Sequence, residues 1–166
     1  MGHKKDTTRE KPNLMSGFGI LEIVVAITVI GTALFAIMTV ARTSLELNRR
    51  VLLSTKGGFL LEESSEGIRM IRDSNWSDVS GLTVDTPYHL VFENNKWMAT
   101  TTETMIDDIF SRTVTASSVY RDDNYRISDS GTLDPDTRKF TVNVSWWNGV
   151  ATTTRTMVFY LANIFN

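Results

Sequence analysis

The sequence predicts an α+β protein in which a long N-terminal helix, its first half transmembrane, packs its second half on a C-terminal antiparallel β-sheet. Three observations predict it. Residues 18–41 form an almost unbroken apolar run, residues 42–72 continue in a helical amphipathic pattern, and residues 73–166 carry short alternating runs rich in Thr, Asn, Asp and aromatics. The average composition hides this division. A mean hydropathy of -0.10 and 42% hydrophobic residues are those of an ordinary soluble domain. Yet of 36 charged side chains in 166 residues, residues 18–41 hold one, Glu22. The length suits a modest domain with an appendage. The absence of cysteine excludes a disulfide scaffold, a thiolate metal site and a cysteine nucleophile. A net charge of -2 without a basic stripe argues against a nucleic-acid partner.

The elements follow in order. Residues 1–17, MGHKKDTTREKPNLMSG, are polar and basic. The run FGILEIVVAITVIGTALFAIMTVA (18–41) has 24 residues, a helical length of roughly 36 Å against a hydrocarbon core of about 30 Å. A buried core helix is usually shorter and has a polar face. The apolar part of a cleaved signal peptide spans only about 7–15 residues. Lys4, Lys5, Arg9 and Lys11 before the run place the N-terminus in the cytoplasm and the C-terminal domain outside, although Arg42, Arg49 and Arg50 reduce the contrast.

After Ala41 the apolar positions Leu45, Val51-Leu52-Leu53, Phe59-Leu60-Leu61, Ile68 and Met70-Ile71 keep to one side, with charges on the others. This predicts a helix continuing to about 72, with Gly57-Gly58 and Gly67 as points of bending. The β region begins with Tyr88, Leu90 and Phe92, a tight turn at Asn94-Asn95 and a return through Trp97-Met98. Another strand is expected within Ser111 to Tyr120. Phe140, Val142, Val144 and Trp146 alternate up to the hairpin signal Asn148-Gly149, and the return strand, 151–161, sets Met157, Phe159 and Leu161 on one face. Four or so short strands are expected, with one face buried against the helix.

Glu22 is the costly residue, since a carboxylate in hydrocarbon needs a partner or a place near the interface. The residues around it carry a resemblance. Ser16-Gly17-Phe18-Gly19-Ile20-Leu21-Glu22 is similar to the processing site of type IV prepilins and type II secretion pseudopilins. The resemblance implies a basic leader ending at Gly17, cleavage that makes Phe18 the new and commonly N-methylated terminus, and Glu22 as fifth mature residue. Gly31 also falls where many members have glycine. It implies an inner-membrane prepilin peptidase, other pilin or pseudopilin subunits and the assembly machinery as partners. Glu22 would then pair with a neighbouring subunit's terminal amine during filament assembly. Four departures favour a minor subunit: Gly19 replaces a polar residue, the leader has 17 residues, Thr39 stands where major pilins have proline, and no disulfide loop is possible. The stretch Leu60 to Trp76 and the FTVNVSWWNGV hairpin also resemble a minor-pilin-like subgroup.

The expected domains are a cleaved leader (1–17), a transmembrane and assembly helix (18–41), its amphipathic continuation (42–72) and an exported β-sheet domain (73–166). The expected fate is a single-pass inner-membrane protein that enters a pilus or pseudopilus. A non-polymerising membrane protein with an outer β-sheet binding domain is the alternative. No enzymatic constellation is found. Only His3 and His89 are available, His89 being read as an exposed strand residue, and there is no nucleophile elbow or phosphate-binding loop. No cofactor is expected. Asp122, Asp123, Asp129, Asp134 and Asp136 make a weak calcium-loop pattern, since Asp and Asn are also the usual turn formers and Asp134-Pro135-Asp136-Thr137 reads as a β-turn. Trp146 and Trp147 must face opposite sides of their strand, one in the core and one available to a partner or ligand.

Overall fold

A computed structural model describes residues 19–164. Helix α1 runs from Ile20 to Ser74 and α2 from Trp76 to Ser80. The strands are β1 (Pro87–Glu93), β2 (Lys96–Thr100), β3 (Met105–Ile106), β4 (Phe110–Arg121), β5 (Ile127–Ser128), β6 (Thr132–Trp147) and β7 (Thr152–Ala162). They form one antiparallel sheet in the order β2-β1-β4-β6-β7, with β3 and β5 added along β4. The chain divides into two compact units between Glu46 and Leu47. The first contains the N-terminal part of α1, and the second contains the remainder of α1, α2 and the sheet.

The α+β architecture, the long apolar helix and the antiparallel sheet are those expected from the sequence. Asn94 and Asn95 take left-handed conformations, φ 50° and 62°, as a two-residue hairpin turn requires. Asn148 builds the β6–β7 turn: its backbone N–H donates to the Ala151 carbonyl (3.1 Å). Its side-chain Oδ1 accepts from the N–H groups of Val150 (2.9 Å) and Ala151 (3.0 Å). Gly149 supplies the required positive φ of 100°.

The sheet differs from the expectation in its strand lengths. β4 and β6 have 12 and 16 residues, because β6 begins before the region read as a turn. Asp134-Pro135-Asp136-Thr137 lies within β6, where the β4–β6 register shifts between Ser118 and Val119. The irregularity accommodates Pro135, which has no N–H to donate. His89 is also corrected: it is buried, at the point of β1 where pairing passes from β4 (through Tyr88) to β2 (from His89).

In the second unit, α1 packs against the sheet through Gly57, Leu60, Leu61, Ser64, Ser65, Gly67, Ile68 and Ile71. Opposite them lie Phe110, Val114 and Ala116 of β4, Phe140, Val142, Val144 and Trp146 of β6, and Leu161 of β7. The buried stripe is narrower than the apolar pattern, and Leu45, Val51, Leu52, Phe59 and Met70 are exposed. Small residues make the difference. A Cβ on Gly57 would lie 2.6 Å from Trp146 Cζ3, and one on Gly67 would lie 3.0 Å from Trp97 Cδ2. These glycines admit tryptophan rings into an uninterrupted helix surface; they do not break it.

Arg112 is the charged exception on the inward face of β4. Its Nη2 donates to the Leu90 carbonyl (2.9 Å), its guanidinium lies over the Trp97 ring at 5.4 Å, and the Glu63 carboxylate of α1 stands 3.3 Å from Nη1. Nη1 itself makes no directed hydrogen bond among the described residues, so Glu63 acts mainly by its charge.

Candidate functional site

The site to which the sequence points is the N-terminal end of α1. Gly17 and Phe18 lie outside the described residues. Gly19 precedes the helix, and its carbonyl accepts from the backbone N–H groups of Glu22 (3.0 Å) and Ile23 (3.2 Å). Glu22 is therefore in the first helical turn, where the helix dipole favours a negative charge. No other described residue provides its carboxylate with a hydrogen bond or ion pair.

The segment around Glu22 is apolar on all sides, and no residue of its most apolar 18-residue window is buried by the protein. Ile20 is 83% exposed and Phe35 76%. With a mean hydropathy of 2.6 in that window, the helix is long and apolar enough to cross a membrane. Its other polar side chains are satisfied internally. The hydroxyls of Thr28, Thr32 and Thr39 donate to the carbonyls of Val24, Thr28 and Phe35 at 2.8, 3.0 and 2.9 Å. Such back-bonding leaves no hydroxyl seeking water. Between Ile20 and Ala41 only Glu22 presents a polar group without a partner of its own helix. The sequence shows these threonines as polar interruptions; the hydrogen bonds that remove the interruption need the helix geometry.

The acidic loop residues are used as architecture. Asp122 Oδ1 accepts from the N–H groups of Asn124 and Arg126, both at 2.9 Å, and shapes the turn before β5. Asp134 Oδ2 receives Arg121 Nε at 2.6 Å, while its Oδ1 accepts from Asp136 N–H at 3.0 Å. Asp122, Asp123, Asp129, Asp134 and Asp136 are not brought together as a ligand set, since among the described residues no three His, Cys, Asp or Glu side chains converge as a metal site.

Burial alone would raise the Asp134 pKa. The hydrogen bonds from Arg121, Thr137 and the Asp136 backbone, with the Arg121 charge, outweigh it and hold the pKa below the usual carboxylate value. A lowered folded-state pKa means that the stabilisation is present above the unfolded value, about 3.9. It is lost as pH falls through the folded one. Asp134→Asn is expected to cost about 1–2 kcal/mol at neutral pH, the Arg121 side being partly exposed. Urea midpoints measured against pH should show the two proteins converging below about pH 4.

Trp146 and Trp147 take the opposed positions expected of them: Trp146 is buried and Trp147 is 58% exposed. The chemistry-bearing position that sequence reading passed over is Arg112, whose signal is a charge within the inward alternation Phe110-Arg112-Val114-Ala116. Comparison with known proteins finds no matching family model, curated protein or solved structure.

Proposed function

We propose that this chain is a prepilin-like subunit, anchored in the inner membrane by residues 18–41, cleaved between Gly17 and Phe18 by a prepilin peptidase, and assembled into a type IV pilus or pseudopilus. The observation that carries the reading is a helix apolar on every side with one carboxylate, Glu22, in its first turn and every threonine hydroxyl from Thr28 to Thr39 satisfied within the helix. Cleavage after Gly17 creates an α-amine on Phe18 four residues before Glu22. In a filament the Glu22 carboxylate receives the amine of a neighbouring subunit. Pairing offsets the cost of both charges in an apolar surround and sets the axial register of the subunits. The apolar helices gather in the filament centre, away from water. A minor rather than major subunit fits the Gly19, Thr39 and cysteine-free departures. The protein is in this reading a peptidase substrate and a structural subunit, with no catalysis of its own.

Co-expression with a prepilin peptidase tests the reading. The parent chain is expected to shorten to a form starting at Phe18, and Gly17→Leu to accumulate as the full-length precursor in the membrane fraction. Equal processing of both would refute the proposed site. An uncut parent beside an active peptidase would favour the non-polymerising alternative.

A further inference from the structure

The second unit has two chemically unlike ends. At one, the segment between β4 and β6 carries Asp122, Asp123 and Asp129 against a single cation, Arg126. At the other, the β3–β4 and β6–β7 turns lie together, because Phe110 pairs with Trp146 and Ser111 with Ser145. This second end is apolar and open. Trp147 is 58% exposed, Val150 67%, Met105 49% and Ile109 43%. Trp147, Met105 and Ile109 line a groove of about 440 Å³ together with Arg49 and Leu53 of α1.

The side chains at this end are held in place. Asn148 fixes the turn that carries Val150. Asp107 and Asp108, at φ 52° and 54°, make the tight turn before Ile109, whose N–H donates to the Ile106 carbonyl at 3.1 Å. Lys56 of α1 pairs with Asp107, and Asp108 shares the groove with Arg49. The two acids of these turns thus lie at an end that also holds Lys56 and Arg49, whereas in the β4–β6 segment three aspartates face one cation, Arg126.

We infer that this end of the β-sheet unit is a membrane-surface contact, with Trp147, Val150 and Ile109 entering the headgroup layer of an anionic bilayer and Arg49 meeting its phosphates. The inference rests on the reading that Ile20 to Ala41 crosses a membrane. The second unit begins at Leu47, six residues after Ala41. Whatever path the chain takes there, Leu47 lies within about 22 Å of Ala41. The end next to Arg49 is thereby confined near the bilayer. Tryptophan prefers the interface, where its apolar ring and indole N–H are both accommodated. Arginine keeps its stem on the apolar cluster and its guanidinium among anionic headgroups. The acidic opposite end is repelled by the same surface, so the two ends together specify one orientation.

The test uses the full chain reconstituted in vesicles of phosphatidylcholine and phosphatidylglycerol, with lipids brominated near the headgroup as quenchers of tryptophan emission. The parent is expected to be quenched. Trp147→Phe should remove most of the quenching, and Trp76→Phe should leave it nearly unchanged, with urea midpoints showing both variants folded. Retention of the parent through an alkaline carbonate wash verifies the anchor separately. Quenching unaffected by Trp147→Phe in a carbonate-resistant protein would overturn the contact while leaving the anchor intact, and would assign the apolar end to a neighbouring subunit. Release by carbonate would overturn the anchor and the contact with it.

Discussion

Trp146→Ala is expected to destabilise the β-sheet unit by about 3–5 kcal/mol, because the ring fills the space between β6 and α1 and leaves a cavity when removed. The ring is 3% exposed, packs against Phe110 at a centroid distance of 5.7 Å, and approaches α1 at Gly57. Gly57 and Gly58 provide a sharper form of the same prediction. Alanine at either position gains about 1 kcal/mol of helix propensity. At Gly57 the new Cβ meets Trp146 at 2.6 Å, whereas at Gly58 its nearest neighbour is Arg155 Nη1 at 3.5 Å, an ordinary contact. Gly57→Ala is therefore expected to cost about 1–2 kcal/mol net, the overpacking exceeding the propensity gain. Gly58→Ala should stabilise by about 0.5–1 kcal/mol. In the Trp146→Ala background the obstruction is gone, so Gly57→Ala should change sign and become stabilising. Urea midpoints of the full chain in detergent, read for the single variants and the double variant, measure all four effects. A stabilising Gly57→Ala in the presence of Trp146 would mean that helix and sheet stand further apart than described.

On the proposed reading, Glu22→Ala is expected to have the second large effect, on assembly and not on folding. Glu22 is exposed and is not one of the residues that form the core of the β-sheet unit, so the urea midpoint should stay within about 0.5 kcal/mol of the parent. Removal of the carboxylate also lowers the cost of residence in lipid, so the variant should remain firmly in the membrane and be processed. Its incorporation into filaments should fall at least about tenfold, as expected if each subunit loses a charge pair worth more than about 1.4 kcal/mol. Shear fractions probed for the subunit, with the membrane pool as reference, measure this. Incorporation equal to the parent would remove Glu22 from the assembly mechanism and leave it a charge near the interface.

The parts of the fold legible in the sequence were those written in apolar periodicity and turn chemistry. The apolar run up to Ala41 specified the helix observed from Ile20, and Asn94-Asn95 and Asn148-Gly149 specified two hairpins. The alternation Phe140, Val142, Val144, Trp146 specified the inward face of β6. What periodicity missed depends on partners distant in sequence. Gly57 and Gly67 resemble helix weaknesses until Trp146 and Trp97 are placed against them. Ser64, fully buried, is invisible to an apolar count, although its hydroxyl donates to the Leu60 carbonyl and so needs no water. Pro135 between two aspartates resembles a turn until the β4–β6 register shows the irregularity that admits it.

The candidate site was legible for a different reason. Glu22 stands out by cost, and a cost is visible without coordinates. Geometry added the satisfied threonines, which isolate Glu22 further. The apolar end around Trp147 was only half legible, since alternation places Trp147 outward but cannot bring Ile109 and Arg49 beside it.

The proposed cleavage after Gly17 would also alter the electrostatics of the chain. Loss of residues 1–17 removes four basic and two acidic side chains, leaving 13 Lys/Arg and 17 Asp/Glu, a net charge of -4 over 149 residues. On the proposed reading, the leader would add positive charge on the cytoplasmic side while the span is oriented, and none to the filament.

The most direct measurement is the intact mass and N-terminal sequence of the chain purified from the membranes of cells with an active prepilin peptidase. The account predicts a terminus at Phe18, carrying one added methyl group. A chain that retains residues 1–17 under those conditions would contradict it.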